Sequence, residues 1–232
     1  MTDTITIVDY GSGNLRSVQK AVEFAARTSE AVPHGTKVIV SSAPEEVMQS
    51  DRLILPGVGA FRACAEGLAA RDGLFEAIEH VVRRKAQPFL GVCVGMQLLA
   101  DVGLEFGTTK GFGWIPGEVR ALPVGDGISG DGVSGAGVSG KGVRSPHMGW
   151  NTVSFRPGHP LFDAVPSEAD FYFAHSYHFN TKIDEHSIGV CRNGVEFNAA
   201  VGHANVAACQ FHPEKSQAAG LALIAAFLHW RP

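Results

Sequence analysis

The chain has 232 residues, with 19 lysines and arginines against 23 aspartates and glutamates, for a formal charge of −4. Hydrophobic residues make up 45% and charged residues 18%, which supplies a core and excludes a disordered chain. Weak acidity without a clustered basic face argues against nucleic acid, and no apolar run approaches the roughly 18 residues of a membrane helix. Thr4 to Val8 alternates and is β-rich, so it reads as a strand. Asp9 to Asn14 is a turn, with Asn14 placed to cap a helix whose face is Leu15, Val18, Val22 and Ala25. Lys37 to Val40 is a second strand, and Pro44-Glu45-Glu46 opens a brief helix. Leu53 to Leu55 is a buried strand ending in Pro56-Gly57-Val58-Gly59. Helical residues follow to about 86, closed by Arg83-Arg84-Lys85 before Pro88, where positive charge suits a helix C-terminus. Phe89 to Cys93 is another strand, and Met96 to Ala100 begins another helix. Strands alternating with helices predict a parallel sheet covered on both faces.

After about residue 107 the pattern becomes β-rich through Trp114-Ile115, Val119, Trp150-Asn151, Val153 and Phe171 to Phe179. Asn205 to Phe211 is a final strand, and Leu221, Ile224, Ala225 and Leu228 mark a last helical face. The expected fold is therefore α/β: a mostly parallel central sheet flanked by helices, with an antiparallel β annex, in a single domain spanning 1–232. Residues 125–144 stand apart as a five-residue G-x-G-V-S repeat. Glycine at two of every five positions makes ordering costly, and a flexible surface loop is expected. The start lacks a basic segment and Asp9 interrupts the early apolar run, so no secretory leader is expected. Four widely spaced cysteines (Cys64, Cys93, Cys191, Cys209) without a C-x-x-C pair fit neither a zinc site nor a disulfide scaffold. A cytoplasmic protein with free thiols follows, without metal or cofactor.

One thiol stands in a chemical setting. Gly91-Val92-Cys93-Val94-Gly95 joins a strand to a helix in the nucleophile-elbow pattern, with cysteine in place of serine. Such a turn strains the nucleophile's backbone, and flanking glycines avoid the clashes. The amides at the start of the helix favour thiolate, and that of Val94 points where an oxyanion forms. A buried structural cysteine is the alternative that the motif alone leaves open. His212-Pro213-Glu214 ends a strand. Positions i and i+2 of an extended segment share a face, so Glu214 can orient His212 while His212 serves Cys93 as base. An exposed turn is the alternative for that pair taken alone. Gly57-Val58-Gly59 follows a buried strand and belongs to the same sheet edge, where its amides can add an oxyanion donor. His175-Ser176-Tyr177-His178 tempts a metal reading, but histidines three apart on one strand face opposite sides.

Gly-Val-Cys-Val-Gly-Met-Gln at 91–97 and Phe-His-Pro-Glu-Lys-Ser at 211–216 resemble the class I (triad) glutamine amidotransferases. Val8-Asp-Tyr-Gly-Ser-Gly-Asn14, Leu55-Pro-Gly-Val-Gly-Ala-Phe61 and Pro146-His-Met-Gly-Trp-Asn151 narrow the resemblance to the glutaminase subunits of imidazole glycerol phosphate synthases, over residues 5 to 228. It implies a catalytic triad of Cys93, His212 and Glu214. It also implies glutamine contacts from Gln97, Glu105, Ser176 and Tyr177, with Glu105 near the α-amino group. The implied partner is a separate TIM-barrel cyclase in a 1:1 heterodimer that receives ammonia through a tunnel, with Asn14, Trp150 and Lys215 as interface candidates. The glycine repeat departs from the family pattern as an insertion before Pro146, and His178 stands where another residue type is expected. Two alternatives stay open: a glutaminase serving a different synthase, such as anthranilate synthase, and a non-catalytic relative.

Overall fold

The computed structural model describes residues 3–30, 32–33, 35–123, 145–163 and 165–232; the glycine repeat lies outside them. Strand β1 (Thr4–Val8) leads into helix α1 (Leu15–Thr28), capped by the Asn14 side chain, which accepts from the Ser17 amide at 3.4 Å. Val18, Val22 and Ala25 of α1 are buried and Leu15 packs against the core, as the spacing predicts. Next come β2 (Lys37–Ser41), α2 (Pro44–Val47), β3 (Arg52–Gly57), α3 (Phe61–Ala69) and α4 (Leu74–Glu79). Helix α4 runs on into a π turn over His80–Arg84, and β4 (Phe89–Cys93) follows.

The predicted helix after Cys93 is a single turn, α5 (Val94–Gln97). The carbonyls of Leu98, Leu99 and Ala100 accept instead from the amides of Phe112, Trp114 and Gly113, at 2.7, 3.0 and 3.0 Å. Satisfied by a returning segment, they do not continue the helix. That segment connects two strands of a small sheet of β5 (Val102–Gly103), β6 (Thr109–Lys110), β7 (Gly117–Ala121) and β10 (Tyr177–Thr181), in the order β10-β7-β5-β6.

The larger sheet adds β8 (His147–Phe155), β9 (Glu168–His175), β11 (Ser187–Asn193), β12 (Val195–His203) and β13 (Val206–Cys209). Its order is β2-β1-β3-β4-β13-β12-β11-β8-β9. The first five strands are parallel, and the remaining four are antiparallel to their neighbours. Much of the expected antiparallel annex is thus a continuation of the central sheet. Its face is filled by aromatic rings, Phe171 stacking on Phe211 at 4.0 Å and Phe155 on Phe162 at 4.8 Å.

Helix α6 (Gln217–His229) closes the chain against α1 and buries Gly220, Leu223, Ile224, Phe227 and Leu228. The predicted face shared only Ile224 and Leu228; Leu221 and Ala225 are half-buried. The helix is apolar all round, so periodicity does not select its face. Gly220 does, because a Cβ there would collide with the Pro213 carbonyl. No helix of the described residues is long and apolar enough to cross a membrane.

Candidate active site

Strands β1, β3, β4 and β13 lie side by side and parallel apart from their order, so the loops after them meet at one edge of the sheet. Cys93 ends β4 with φ +56° and ψ −111°, a region that costs an ordinary residue about 1–3 kcal/mol. The flanking glycines permit it. A Cβ on Gly91 would lie 2.6 Å from the Gly95 carbonyl oxygen, and one on Gly95 would overlap the Leu55 carbonyl. His212 follows β13 in extended conformation, and its backbone amide donates to the Tyr172 carbonyl at 2.9 Å. His212 Nδ1 donates to Glu214 Oε1 at 2.9 Å, with both side chains almost fully buried. Residues 213–215 form a 3-10 turn, so Glu214 reaches the imidazole by a tight bend and not along the expected extended segment. Burial alone pushes the His212 imidazole down. The neighbouring Cys93 sulfur and the hydrogen-bonded Glu214 carboxylate overcome that and hold its pKa up at about 9.

These groups open onto a cavity of about 300 Å³ lined by Cys93, Val94, Gln97, Glu105, Ser176, Tyr177 and His212, with Val58, Gly59, Pro146, Met148 and Lys215 at its walls. Glu105 Oε2 accepts from the Phe61 amide at 2.6 Å, at the start of α3. Gln97 spends its amide nitrogen on the Tyr177 carbonyl (3.1 Å) and Gln210 Oε1 (3.0 Å). Its carbonyl oxygen is therefore the group it can offer a ligand.

The Gly57-Val58-Gly59 expectation needs correction in two places. Gly57 is buried within β3, in register with Cys93, and is absent from the cavity wall. Its lack of a side chain serves packing, since a Cβ would lie 2.5 Å from the Tyr10 hydroxyl. Val58 stands at the wall, but its amide donates to Ser12 Oγ at 3.0 Å, and the Ser12 hydroxyl donates back to the Val58 carbonyl at 2.6 Å. In this state the Val58 amide is not free for an oxyanion; Val94 and Gly59 also stand at the cavity wall.

A family model for class I glutamine amidotransferases matches residues 6–229. The chain is a class I glutamine amidotransferase. It is 44% identical over 231 residues to the imidazole glycerol phosphate synthase subunit HisH of Mesorhizobium japonicum, covering 98% of this chain and 99% of that one. It is 45% identical to the subunit of the same name from Agrobacterium fabrum, over 98% of this chain and 99% of the other. Among solved structures, a glutamine amidotransferase at 16% identity superposes with a TM-score of 0.65, over 95% of this chain and 98% of that one. Another, from Thermotoga maritima, has a TM-score of 0.56 at 13% identity, over 92% and 77%. At such low identity these two speak to the fold alone.

Of the amidotransferase's remaining predicted residues, Lys215 lines the cavity and Asn14 and Trp150 do not. Lys215 and Trp150 both pack on the Tyr172 ring, Lys215 Nζ at 5.7 Å from its centroid and the Trp150 ring at 6.1 Å, and Trp150 is half exposed. Asn14 is exposed in its capping position. His175 and His178 are not on one strand, because the chain bends at Ser176 between β9 and β10. His178 is buried beside Phe197 and does not line the cavity. Among the described residues, no group of three or more His, Cys, Asp and Glu is placed to hold a metal ion. Sequence reasoning missed Ser12, Gln210 and His147. Ser12 and His147 stand inside quoted motifs, but the partners of all three lie 28 to 117 residues away, so their contacts were not readable locally.

Proposed function

We propose that this chain is the glutaminase subunit of imidazole glycerol phosphate synthase, acting in histidine biosynthesis. It hydrolyses glutamine to glutamate and ammonia and passes the ammonia to a separate cyclase subunit. The observation that carries the chemistry is the strained Cys93 beside a His212 whose other nitrogen is held by Glu214. In this reading Cys93, His212 and Glu214 are the triad. The Cys93 sulfur adds to the side-chain carboxamide carbon of glutamine, and the amides of Val94 and Gly59 receive the oxyanion. The tetrahedral adduct collapses, the C–N bond breaks, and imidazolium gives its proton to the departing nitrogen, which leaves as ammonia. Water, deprotonated by His212, then attacks the thioester and releases glutamate and thiolate. The wall contributed by Glu105, Ser176 and Tyr177 suits the charged end of an amino acid: a carboxylate for the ammonium, hydroxyls for the carboxylate.

The cyclase is proposed as a separate TIM-barrel polypeptide in a 1:1 complex, a reading supported by the two HisH relatives, which this chain matches over 99% of their length and which are themselves named subunits of the synthase. Met148 and Trp150 on β8 are 67% and 49% exposed beside the cavity, and with Asn14 and Lys215 they form the proposed docking face. The Ser12 bonds to Val58 fit an enzyme whose full oxyanion site forms only in the complex, which spares glutamine when no acceptor is bound. The test is Cys93→Ala in that complex. Glutamine-dependent synthesis is expected to vanish while synthesis fed with ammonium salt continues. Glutamine hydrolysis above a tenth of wild type would sink the assignment. Co-purification of a synthase of another type would sink the choice of partner.

A further inference from the structure

From strand β8 to the cavity wall runs a line of polar groups, most of them buried, whose bonds to one another the proposed chemistry does not use. Asn151 Nδ2 donates to the Arg192 carbonyl at 3.0 Å and Oδ1 accepts from the Thr152 amide at 2.9 Å, which fixes the orientation of the Asn151 amide. The same Nδ2 lies 3.2 Å from His147 Nε2, so that nitrogen must accept. His147 therefore carries its proton on Nδ1 and donates to His175 Nε2 at 3.0 Å. His175 in turn is protonated on Nδ1 and donates to the Tyr177 carbonyl at 2.8 Å. That carbonyl also accepts from Gln97 Nε2, which donates as well to Gln210 Oε1. With its oxygen so committed, Gln210 turns Nε2 toward Cys93 Sγ at 3.6 Å. Each tautomer and amide orientation follows from the preceding bond, so none of these groups turns over alone.

We propose that this relay sets the position of the nucleophile. Gln210 is a catalytic residue that donates to the Cys93 sulfur, and Gln97, His175 and His147 are positioning residues that tie Gln210 to strand β8. Gln97, His147, His175 and Gln210 are all buried, Gln210 completely, which makes each bond stronger than its surface equivalent. Its far end is the strand that carries exposed Met148 and Trp150. A partner seated on β8 therefore presses on one end of a connected line whose other end is the reacting sulfur. The burial of His175 holds its imidazole down to about 3, so the ring transmits position and not protons.

The inference rests on Cys93 being the nucleophile, and the experiment separates the two. In the full-length chain, Gln210→Glu places a carboxylate oxygen against Sγ. Alkylation of Cys93 by iodoacetamide, assigned by peptide mass, is expected to slow at neutral pH, with its profile moved to higher pH. At the other end, His147→Phe keeps the stack on Phe173 but ends the relay, whereas His147→Asn keeps a donor near the position of Nδ1. His147→Phe is expected to lower kcat for glutamine about tenfold at little-changed KM, as for one lost hydrogen bond between neutral groups at the upper end of its usual net worth. His147→Asn is expected to recover most of it. A Gln210→Glu profile coincident with wild type overturns the proposal, as do equal rates for the two His147 variants. If Gln210→Glu fails to fold, the His147 pair decides alone. Glutamine hydrolysis surviving Cys93→Ala would instead remove the functional reading beneath it.

Discussion

His212 Nδ1 lies 2.9 Å from Glu214 Oε1, and its imidazole stays protonated well past its ordinary range, up to about 9. A folded-state pKa above the unfolded value of 6.5 contributes stability that is complete below about 6.5 and lost as pH rises through about 9. We therefore expect the melting temperature to fall across that window and to fall less in Glu214→Gln, measured by thermal scans at pH 6 and 9.5. The opposite sign holds for His178, which burial and then the neighbouring Arg120 hold down to about 4. It contributes stability above 6.5 that is lost as pH falls toward 4. Among the described residues neither of its ring nitrogens has a hydrogen-bond partner, so His178→Phe is expected to raise the urea midpoint at pH 5 more than at pH 7. An unchanged difference between the two pH values would show that His178 does not titrate in folding. Of these residues, the His212–Glu214 pair was legible because its members stand two positions apart with proline between them. Gln210 stands two positions earlier and gave no signal, since its role depends on Gln97 and Cys93, 113 and 117 residues away.

At the scale of elements, the turn from β4 into α5 is the piece on which the site depends. Gly95 lies against the Leu55 carbonyl of β3, and any side chain there must push strand and turn apart. Gly95→Ala is expected to cost more than about 3 kcal/mol, beyond the usual range for one substitution, and to abolish Cys93 alkylation under native conditions. Chemical unfolding with a midpoint near wild type would overturn this. The turn was readable in advance because glycine spacing and a strand-to-helix change are local signals. The length of α5 was not, because the segment returning through Phe112 to Trp114 takes the carbonyls that a longer helix would have used. The face of α6 was missed for a related reason: a helix apolar on every side leaves the choice to its neighbours, here Pro213 beneath Gly220.

Across the whole molecule, both ends of the described chain converge on β3. Arg52, buried on that strand, donates to the Trp230 carbonyl at 2.8 Å and stands 3.6 Å from Asp3, which also pairs with Arg231 at 3.0 Å. Arg52→Ala leaves an uncompensated polar cluster and is expected to cost roughly 3 kcal/mol, read from urea unfolding. A loss below 1 kcal/mol would mean that the cluster hydrates readily. The alternation of strands and helices foretold the parallel half of the sheet, whereas the continuation through β12, β11, β8 and β9 depends on long-range pairing that alternation does not encode. That strand order carries a consequence for biosynthesis. β13 is the last strand to leave the ribosome, yet it stands fifth of nine, between β4 and β12. A nascent chain halted before residue 206 exposes two unpaired strand edges and lacks His212 altogether. Such a chain is a template for aggregation and has no base for the thiol, so translation must finish before either the sheet or the chemistry is complete.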